Sequence, residues 1–496
     1  MTVSIERLGV VGAGTMGSGI AQLGCVAGLQ TLLHDPVPEA LAEGEKRLRA
    51  GIAKGAEKGR WDASAAGNLR LARHVDALGE CELIVEAAPE RPELKRELFE
   101  RLSKIAPEAI LATNTSSILV TSLASAAGKP ENVVGMHFFN PPPLMELVEV
   151  IAAEQTGERA LAVAEHVAGR MRRTVIRATD GPGFLVNRCN RPFGAESLRL
   201  LQEGVATHDQ IDRIVRLGGG FRMGPFELMD LVGIDVGFEV ARSFMEQSFG
   251  EPRWKPSPLQ ARMVAAGRLG RKTGRGWYDY PPGRPADPPP PEPGGGDGRV
   301  VAIEGAGALA RELRERAAQA GFDARQLVAV GGSEEPELIV DASVPAPVSD
   351  LGELPQGPPL VAVCADRGLR ARGNPEATGF HLIPPFGSLV ELTRLPTTPD
   401  SVAGAADAFF AALGFHREWV RDAPGLVLGR VVAQLVNEAR FAVAEGVGSE
   451  DDVDAGLKLG MNHPRGPSEW DQEQAEAVLE GLWQERREER YRPAPR

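Results

Sequence analysis

One histidine and one glutamate stand in a pattern that suits proton transfer. His137 follows the β-like pair Val133-Val134, and Glu149 lies in the apolar stretch Leu144–Val150. An unpaired carboxylate in apolar surroundings is costly. Pairing it with an imidazole removes that cost, fixes the ring tautomer and prepares the ring to act as a general base. The alternative is a hydrogen-bonded core histidine with a solvent-facing glutamate on a strand edge, and these residues alone leave both interpretations open.

A glycine pattern near the N-terminus suits a dinucleotide phosphate. The apolar run Leu8–Val11 predicts a buried strand, and Gly12-x-Gly14-x-x-Gly17 leads from it into a helix. Gly12 permits the tight turn, Gly14 lets backbone N–H groups approach a pyrophosphate, and Gly17 lets the helix pack closely on the sheet. The first turn of the helix, with Thr15 and Met16, then offers unpaired N–H groups to the phosphates.

An acid follows this pattern at the expected distance. Gln30–Leu33 predicts a second strand, and Asp35 comes directly after it, eighteen residues past Gly17. A carboxylate there accepts both ribose hydroxyls and repels a 2′-phosphate, which favours NAD over NADP. The alternative is a glycine turn in a domain of this type that has lost its ligand.

Two further segments carry polar groups at predicted element ends. Thr113, Asn114, Thr115 and Ser116 follow an apolar run, which places hydroxyl groups at the carboxyl edge of a sheet, although such residues also cap helices. The run DGPGFLVNR at 180–188 predicts a Pro-Gly turn and then a long helix that includes Asn187. Its alternative is a simple domain boundary with an asparagine on the first helical turn.

The 496 residues predict about three domains at roughly 150 residues each. Between 281 and 298, 13 of 18 residues are Pro or Gly, which predicts a polyproline spacer followed by a flexible glycine hinge. The two sides of this linker resemble each other, since DGPGFLVNR at 180–188 returns as DAPGLVLGR at 422–430 and Gly224-Pro225 returns as Gly466-Pro467. Both pairs share an offset of 242 residues, so we predict two copies of a two-part unit.

The second copy is shorter and has lost parts of the pattern. Ala310 stands at the third glycine position, a second strand is expected around 326–330, and Gly429 stands where Asn187 does. The predicted fold class is an α/β Rossmann domain plus an all-α helical domain, followed by a degenerate second copy of both. The predicted boundaries are 1–179 for the NAD-binding domain, 180–280 for the first helical domain, 281–298 for the linker, 299–420 for the shortened Rossmann-like domain and 421–490 for the second helical domain.

Composition excludes several classes of function. A formal net charge of −13 does not suit a protein that coats nucleic acid. The four cysteines lie far apart and form no metal-ligand pattern, which argues against disulfides and zinc and fits a reducing cytoplasm. No apolar run reaches the roughly 20 residues of a membrane helix, and the N-terminus does not read as a signal peptide. We therefore expect a cytoplasmic protein with no metal and no membrane contact.

Taken in order, these segments resemble the L-3-hydroxyacyl-CoA dehydrogenase family. The resemblance covers about residues 5–282, and the whole chain is similar to the longer bacterial members, some of which act on 3-hydroxyadipyl-CoA in phenylacetate breakdown and others on 3-hydroxybutyryl-CoA. The motifs that carry it are GAGTMGSGIA, NTSS, HFFNPPPLMELVEV, DGPGFLVNR, MGPFELMDLVGID and GRKTGRGWYDY.

The resemblance implies reversible oxidation of an (S)-3-hydroxyacyl-CoA by NAD. It implies that His137 is the general base, that Glu149 pairs with it, and that Ser116 and Asn187 bind the substrate. Lys58 matches a position that contacts CoA, but Gly51 stands where the family can use a serine for the same ligand. The cofactor positions that match the family are Gly12, Gly14, Thr15, Met16, Gly17, Asp35, Glu90, Lys95, Ser116, Asn140 and Lys272.

The resemblance also implies a role for the second copy. Single-copy members dimerise through their helical domains, so the two helical regions of this chain are expected to form an intramolecular pseudo-dimer, with a homo-oligomer as a further option. His381 and Glu391 persist in the second copy, but the losses around them predict no second active site. Two alternatives stay open from sequence: a related-fold dehydrogenase of a sugar acid or small hydroxy acid, and a non-catalytic structural protein.

Overall fold

The structure is a computed structural model that describes residues 5–289, 291–326, 335–344 and 357–495. Contacts group the chain into two compact units. The first consists of Met1–Arg188 together with Ala442–Met461, and the second consists of Cys189–Phe441 together with Asn462–Arg496.

The first unit is built on an eight-stranded sheet with the order β3-β2-β1-β4-β5-β6-β7-β8. All neighbours run parallel except β6 and β7, which are antiparallel. The strands are β1 (Arg7–Val11), β2 (Gln30–His34), β3 (Leu69–Ala72), β4 (Leu83–Glu86), β5 (Ile110–Thr113), β6 (Val133–Phe138), β7 (Leu147–Ala152) and β8 (Thr174–Thr179). The helices are α1 (Thr15–Val26), α2 (Pro38–Glu57), α3 (Pro92–Ile105), α4 (Val120–Ala124) and α5 (Glu158–Arg170).

The burial of these strands explains the predicted pattern. β4 and β5 are buried at every residue, as expected for parallel strands covered by helices on both faces. β1 and β2 begin within one residue of the predicted strands, and α1 fills the space between them. The predicted Rossmann order of the N-terminal region is therefore confirmed, and the carboxyl ends of β1, β4, β5 and β6 share one edge.

The second unit contains helices and a seven-stranded sheet. The sheet consists of β9 (Val300–Glu304), β10 (Asp323–Arg325), β11 (Leu338–Asp341), β12 (Leu360–Val363), β13 (Thr378–His381), β14 (Leu389–Arg394) and β15 (His416–Trp419). The remaining α-helices of the described residues are α6 (Val186–Glu203), α7 (His208–Arg213), α8 (Pro225–Val232), α9 (Ile234–Gln247), α10 (Pro258–Ala265), α11 (Ala308–Gln319), α12 (Leu369–Arg372), α13 (Asp400–Ala412), α14 (Leu428–Ala444), α15 (Glu450–Met461) and α16 (Gln472–Arg486). Among these, α6 and α14 run from one unit into the other, and α15 belongs to the first unit.

The second sheet repeats the first in order and direction. Its order is β10-β9-β11-β12-β13-β14-β15, with β13 and β14 antiparallel and every other pair parallel. Within the described residues no strand stands where β3 does in the first sheet. A strand was expected around 326–330, but residues 327–334 lie outside the described part; the strand described next to that range, β10, ends at Arg325. This repetition is what an internal duplication with a shortened second copy would give.

The Pro/Gly segment differs from the expected flexible hinge. The N–H groups of Gly294, Gly296 and Gly298 donate to carbonyl oxygens of Ala412, Ala320 and Gly321 at 2.8–2.9 Å. The glycine part is therefore held against the domain that follows it, because these backbone groups find partners there. The domain boundaries drawn from the sequence stay a prediction.

Helices of the two predicted copies pack together in the second unit. The side chain of Arg430 on α14 is fully buried and donates from Nε to Glu196 Oε1 on α6 at 2.8 Å. Arg430 Nη1 also bonds Glu203 Oε2 at 2.7 Å, and Tyr491 completes the cluster with a bond from Arg430 Nη2 to its hydroxyl at 2.9 Å. A buried guanidinium that kept only part of these partners would be strongly destabilising, so the cluster fixes how α6 and α14 meet.

Candidate active site

The glycine loop forms an open cradle at the end of β1. Gly12 has φ +99°, and a β-carbon on it would lie 2.5 Å from the carbonyl oxygen of Ala87. A β-carbon on Gly17 would lie 1.8 Å from the carbonyl oxygen of Gly12, so both positions require glycine. No atom lies within 4 Å of the β-carbon position on Gly14 in the described structure. The backbone at the start of α1, where exposed Thr15 and half-buried Met16 follow, is therefore open to a ligand.

Asp35 lies beside this cradle. Its Oδ2 accepts a hydrogen bond from the Ala13 N–H at 2.8 Å, and its Oδ1 accepts one from the Val37 N–H at 2.9 Å. Each oxygen keeps a lone pair, since a carboxylate oxygen can accept two bonds. The cradle and its acid thus fit the pyrophosphate and ribose of a dinucleotide.

Glu90 organises the Thr115–Ser117 loop after β5. Its Oε1 accepts bonds from Thr115 Oγ1 at 2.5 Å, from Ser117 Oγ at 2.9 Å and from the Ser116 N–H at 3.1 Å. Burial acts to raise the pKa of Glu90, but Lys95 and these hydroxyl bonds outweigh it and hold the pKa below its usual value. Ser116 itself is exposed on this loop. Glu90 therefore presents Ser116 at the carboxyl edge of the sheet.

Lys95 lies under the loop. Only 1% of its side chain is exposed, and its ammonium bonds Glu86 Oε1 at 2.8 Å, Glu86 Oε2 at 3.0 Å and Glu90 Oε2 at 3.0 Å. These three contacts account for its three donors. The sequence predicted a cofactor contact for Lys95, whereas in this conformation it acts on the loop through Glu90. No sequence pattern pointed to a role for Glu86, which meets Lys95 because α3 packs beside β4.

His137 and Glu149 form a buried pair across β6 and β7. The two residues are direct partners in the antiparallel register, and His137 Nδ1 lies 2.6 Å from Glu149 Oε2. Glu149 Oε1 accepts the N–H groups of Leu185 at 3.0 Å and Val186 at 2.9 Å. A carboxylate held in this way accepts the Nδ1–H, which leaves the lone pair of the ring on Nε2. The structure thus favours the base interpretation over the solvent-facing one, because Glu149 is 0% exposed.

Apolar rings and α6 surround this pair. The ring of Phe139 packs on His137 at 4.6 Å between centroids, and Phe184 lies at 5.8 Å in an edge-on arrangement. Asn187 follows Val186, whose N–H binds Glu149, so it lies on the first turn of α6 next to the pair. His137, Glu149, Ser116 and Asn187 all belong to the first unit.

A helix from the far end of the chain supports this site. On α15, a β-carbon at Gly460 would lie 2.9 Å from Leu147 Cδ2 and 3.1 Å from the ring of Phe139. A β-carbon at Gly456 would lie 2.7 Å from the side chain of Val186. Sequence reasoning missed this support, since no local pattern links segments so far apart along the chain.

Three further predicted residues lie at the periphery. Asn140 is exposed just after β6, and Lys58 is exposed at the end of α2. Lys272 belongs to the second unit, where its ammonium pairs with Asp235 at 2.6 Å. At Gly51 a β-carbon would lie 2.3 Å from Gln22 Oε1, which explains why this chain lacks the serine expected there.

The corresponding pair in the second sheet is arranged differently. His381 and Glu391 are again register partners, and Glu391 again accepts two backbone N–H groups, from Val427 and Leu428. However, His381 Nδ1 lies 3.8 Å from Glu391, and neither ring nitrogen has a hydrogen-bond partner among the described residues. Burial lowers the pKa of His381 to about 3 and raises the pKa of Glu391 to about 8. Both are therefore neutral at pH 7, and no ion pair forms.

The second glycine loop is altered too. Gly305 keeps the positive φ of +116°, but the methyl group of Ala310 lies 3.1 Å from its β-carbon position. The carboxylate oxygen Oε2 of Glu473 on α16 lies 3.7 Å from the β-carbon position on Gly307, at the start of α11. A carboxylate at that helix start repels a phosphate. This loop does not fit a dinucleotide.

Within the described ranges, no group of three metal-ligating side chains could hold an ion. None of the described helices combines the length and apolarity that crossing a lipid bilayer requires.

Comparisons with known proteins show the family of the chain. The family model "3-hydroxyacyl-CoA dehydrogenase, NAD binding domain" matches residues 7–181, and "3-hydroxyacyl-CoA dehydrogenase, C-terminal domain" matches residues 183–280 and 425–496. The match to the C-terminal domain on both sides of the second sheet agrees with the repeated helical motifs.

Individual relatives cover the chain in two ways. The 3-hydroxyadipyl-CoA dehydrogenase of Escherichia coli K12 is 32% identical over 99% of this chain and 97% of its own length. A probable 3-hydroxybutyryl-CoA dehydrogenase of Deinococcus radiodurans is 40% identical over 55% of this chain and all of its own length. Among solved structures, a 3-hydroxybutyryl-CoA dehydrogenase from Escherichia coli K12 matches with a TM-score of 0.83 and 30% identity over 99% of this chain and 97% of that one.

Proposed function

Because the chain belongs to the 3-hydroxyacyl-CoA dehydrogenase family, we propose that it oxidises (S)-3-hydroxyacyl-CoA to 3-oxoacyl-CoA with NAD. The observation that carries the proposal is the buried His137–Glu149 pair at 2.6 Å, on the same sheet as the open glycine cradle. The pair supplies a base, and the cradle fits the dinucleotide. Both lie at the carboxyl edge where such sheets bind ligands.

His137 takes the proton of the substrate. Glu149 holds Nδ1–H, so Nε2 accepts the proton from the 3-hydroxyl group while the C3–O bond gains double-bond character. The imidazolium that results is stabilised by Glu149, whose other oxygen stays fixed by Leu185 and Val186. Phe139 and Phe184 exclude water from one side of the ring.

Ser116 and Asn187 orient the substrate. Ser116 presents its hydroxyl on the loop that Glu90 fixes, and it donates a hydrogen bond to the substrate oxygen. Asn187 donates from the start of α6. Two donors around one oxygen stabilise the charge that develops on it.

The residues that bind NAD are arranged around the glycine cradle. Backbone N–H groups around Gly14, Thr15 and Met16 bind the pyrophosphate, and Asp35 binds the adenosine ribose. Glu90 and Asn140 lie at the sheet edge and complete the cofactor contacts, with Lys95 acting through Glu90; Lys272 is a further cofactor contact. When bound, NAD accepts the hydride from C3.

Membership of the same family also supports proposals for the CoA contact, the assembly, the location and the acyl group. Lys58, exposed at the end of α2, contacts the CoA portion of the substrate. The packed helices α6 and α14 form an intramolecular pseudo-dimer, in which the second copy replaces a partner subunit. We place the enzyme in the cytoplasm, where acyl-CoA is available; nucleic acid and membrane play no part. The acyl group is that of 3-hydroxybutyryl-CoA or 3-hydroxyadipyl-CoA, as the names of the relatives suggest.

A spectrophotometric assay of the purified chain tests this function. With NADH, acetoacetyl-CoA should be reduced rapidly, whereas free acetoacetate and small keto acids should be reduced at least a thousandfold more slowly, because only the thioester carries CoA. Rapid turnover of the free acids instead would assign the chain to the small hydroxy acid dehydrogenases. Absence of turnover together with absence of NADH binding would favour the structural alternative.

A further inference from the structure

The carboxyl end of β6, which carries the proposed base, extends beyond one of its neighbouring strands. The last register pair between β5 and β6 joins Thr113 to Gly135. β5 ends at Thr113, whereas β6 continues to Phe138. On the other side, β6 stays paired with β7 as far as Phe138. The segment 136–138, which includes His137, is therefore held by backbone pairing on the β7 side, while the backbone of β5 has already left the sheet.

The side chain of Asn114 takes the place of the missing backbone on the β5 side. Its Oδ1 accepts the N–H of Phe138 at 2.9 Å. The N–H of Asn114 in turn donates to the carbonyl oxygen of Glu86 at 2.9 Å, so the residue is anchored on β4. Phe138 is 2% exposed, and a buried N–H without a partner is costly. Asn114 thus supplies the acceptor that β5 no longer provides.

This hydrogen bond acts on the peptide group that joins His137 to Phe138. The N–H of Phe138 belongs to that peptide, and Asn114 sets its direction from the β5 side. From the β7 side, Glu149 is the register partner of His137 and holds its ring at 2.6 Å. His137 is therefore fixed from both sides of β6. A peptide released on the β5 side would rotate and carry the imidazole away from the direction that proton transfer requires.

The two ends of the Asn114 amide differ in their contacts. Because the N–H of Phe138 needs an acceptor, Oδ1 faces Phe138 and Nδ2 faces away from it. Asn114 is half-buried, and its Nδ2 donates no hydrogen bond to the described residues. Replacing the amide by a carboxylate removes the Nδ2 donors and keeps an oxygen for Phe138. The oxygen and the amino group can therefore be tested separately.

We propose that Asn114 is a positioning residue for catalysis: by accepting the N–H of Phe138, it holds the end of β6 and directs the imidazole of His137 towards the substrate. This inference rests on the proposed function, in which His137 is the base. Asn114 acts through the backbone of β6 and takes no proton itself. Its loss should therefore affect turnover and leave the affinity for the cofactor unchanged.

A matched asparagine separates positioning from a purely structural role. Asn68 is also half-buried in the first unit, and its Nδ2 donates to the carbonyl oxygen of Cys25 at 2.9 Å. It comes directly before β3, which runs parallel to β2. Asn68 therefore lies at the amino edge of the sheet, opposite the carboxyl edge that carries His137. Its replacement removes a comparable hydrogen bond at a distance from the reacting groups.

The experiment measures kcat for (S)-3-hydroxybutyryl-CoA and the Kd for NADH in the wild-type full chain, N114A, N114D and N68A. Thermal unfolding of each variant verifies the fold. N114A should lose about 10- to 100-fold in kcat while its Kd for NADH stays within about twofold of wild type. N114D still accepts the N–H of Phe138, so its kcat should recover to within about fivefold of wild type. N68A should unfold at a temperature lowered as much as that of N114A and should keep the wild-type kcat.

Three results would overturn the inference. One is an N114A variant with a kcat near that of wild type. Another is an equal loss of kcat in N114A and N68A, which would make Asn114 a stabilising residue only. An N114D variant that folds and loses as much kcat as N114A would assign the effect to the Nδ2 amino group. Should N114D fail to fold, the comparison of N114A with N68A still tests the inference. Failure of wild type to oxidise the substrate would refute the proposed function itself, which is a separate outcome.

Discussion

The imidazole of His381 occupies the space next to Gly429: a β-carbon at residue 429 would lie 2.6 Å from the ring. In the first copy, the equivalent position on α6 is Asn187, beside the His137–Glu149 pair. The replacement of asparagine by glycine thus accompanies a histidine that packs as an apolar group. The second sheet keeps the register of the pair but not the short contact between its members.

The free energy of unfolding should depend on pH, because His381 is buried and neutral in the folded chain. Its pKa is about 3 in the folded chain and about 6.5 in the unfolded chain, so the unfolded state binds the extra proton between these values. Stability from this group is present above pH 6.5 and is lost as pH falls towards 3. His381→Gln cannot take up that proton. As the pH falls from 6 to 4, the free energy of unfolding of this variant should therefore increase relative to that of wild type by about 1.4 kcal/mol per pH unit. Urea unfolding at several pH values measures this, and a constant difference would contradict the assignment.

One NADH should bind per chain. The first cradle is open at Gly14, whereas Ala310 and Glu473 alter the second. Asp35→Ala should raise the Kd for NADH by about tenfold or more, because Asp35 is the carboxylate beside the open first cradle. Isothermal titration calorimetry measures both the stoichiometry and the affinity. Two equivalent sites per chain would show that the altered second loop still binds the cofactor.

Lys95 should matter for folding as well as for the loop. Lys95→Met leaves Glu86, which is 0% exposed, without its counter-charge, and should cost about 3–5 kcal/mol of unfolding free energy. Lys104→Met on the same helix removes an exposed pair with Glu100 and should change stability by less than about 1 kcal/mol. Similar losses for the two variants in denaturant unfolding would contradict the buried pair.

Support of the site by α15 predicts a catalytic effect from a residue far along the chain. Gly460→Val should push Leu147 and Phe139 towards His137 and lower kcat by about 10- to 100-fold, with the Kd for NADH unchanged. Gly404→Val on α13 is the control, since its β-carbon position has no atom within 4 Å.

A second variant separates positioning from general damage. Leu147→Ala opens the space that the new side chain needs, so the double variant with Gly460→Val should recover part of the lost kcat. An unaltered kcat in Gly460→Val, or an equal loss in Gly404→Val, would show that α15 does not position the site.

The sequence predicted the elements that are local. The strand, glycine turn and helix at residues 8–26 and the acid at Asp35 were visible in short stretches, because backbone geometry and burial fix them locally. For His137 and Glu149 the sequence left two interpretations open. The register of β6 and β7 then makes His137 and Glu149 direct partners.

Contacts between distant segments could not be predicted. The burial of Lys95 between Glu86 and Glu90 depends on how α3 lies beside β4. The packing of Gly460 against Phe139 depends on a contact between the two copies of the repeat. In each case the sequence supplied the residue type, and tertiary packing decided its partners.

We propose that the chain has one catalytic site, built on His137, and a second copy without catalysis. The most direct test compares the turnover of 3-hydroxyacyl-CoA by His137→Gln and by His381→Gln, two identical substitutions at the same position of the two sheets. His137→Gln should lower kcat by about 100- to 10,000-fold, and His381→Gln should keep it within about twofold of wild type. A His137→Gln variant with near-normal kcat, or a His381→Gln variant with an equal loss, would contradict the claim.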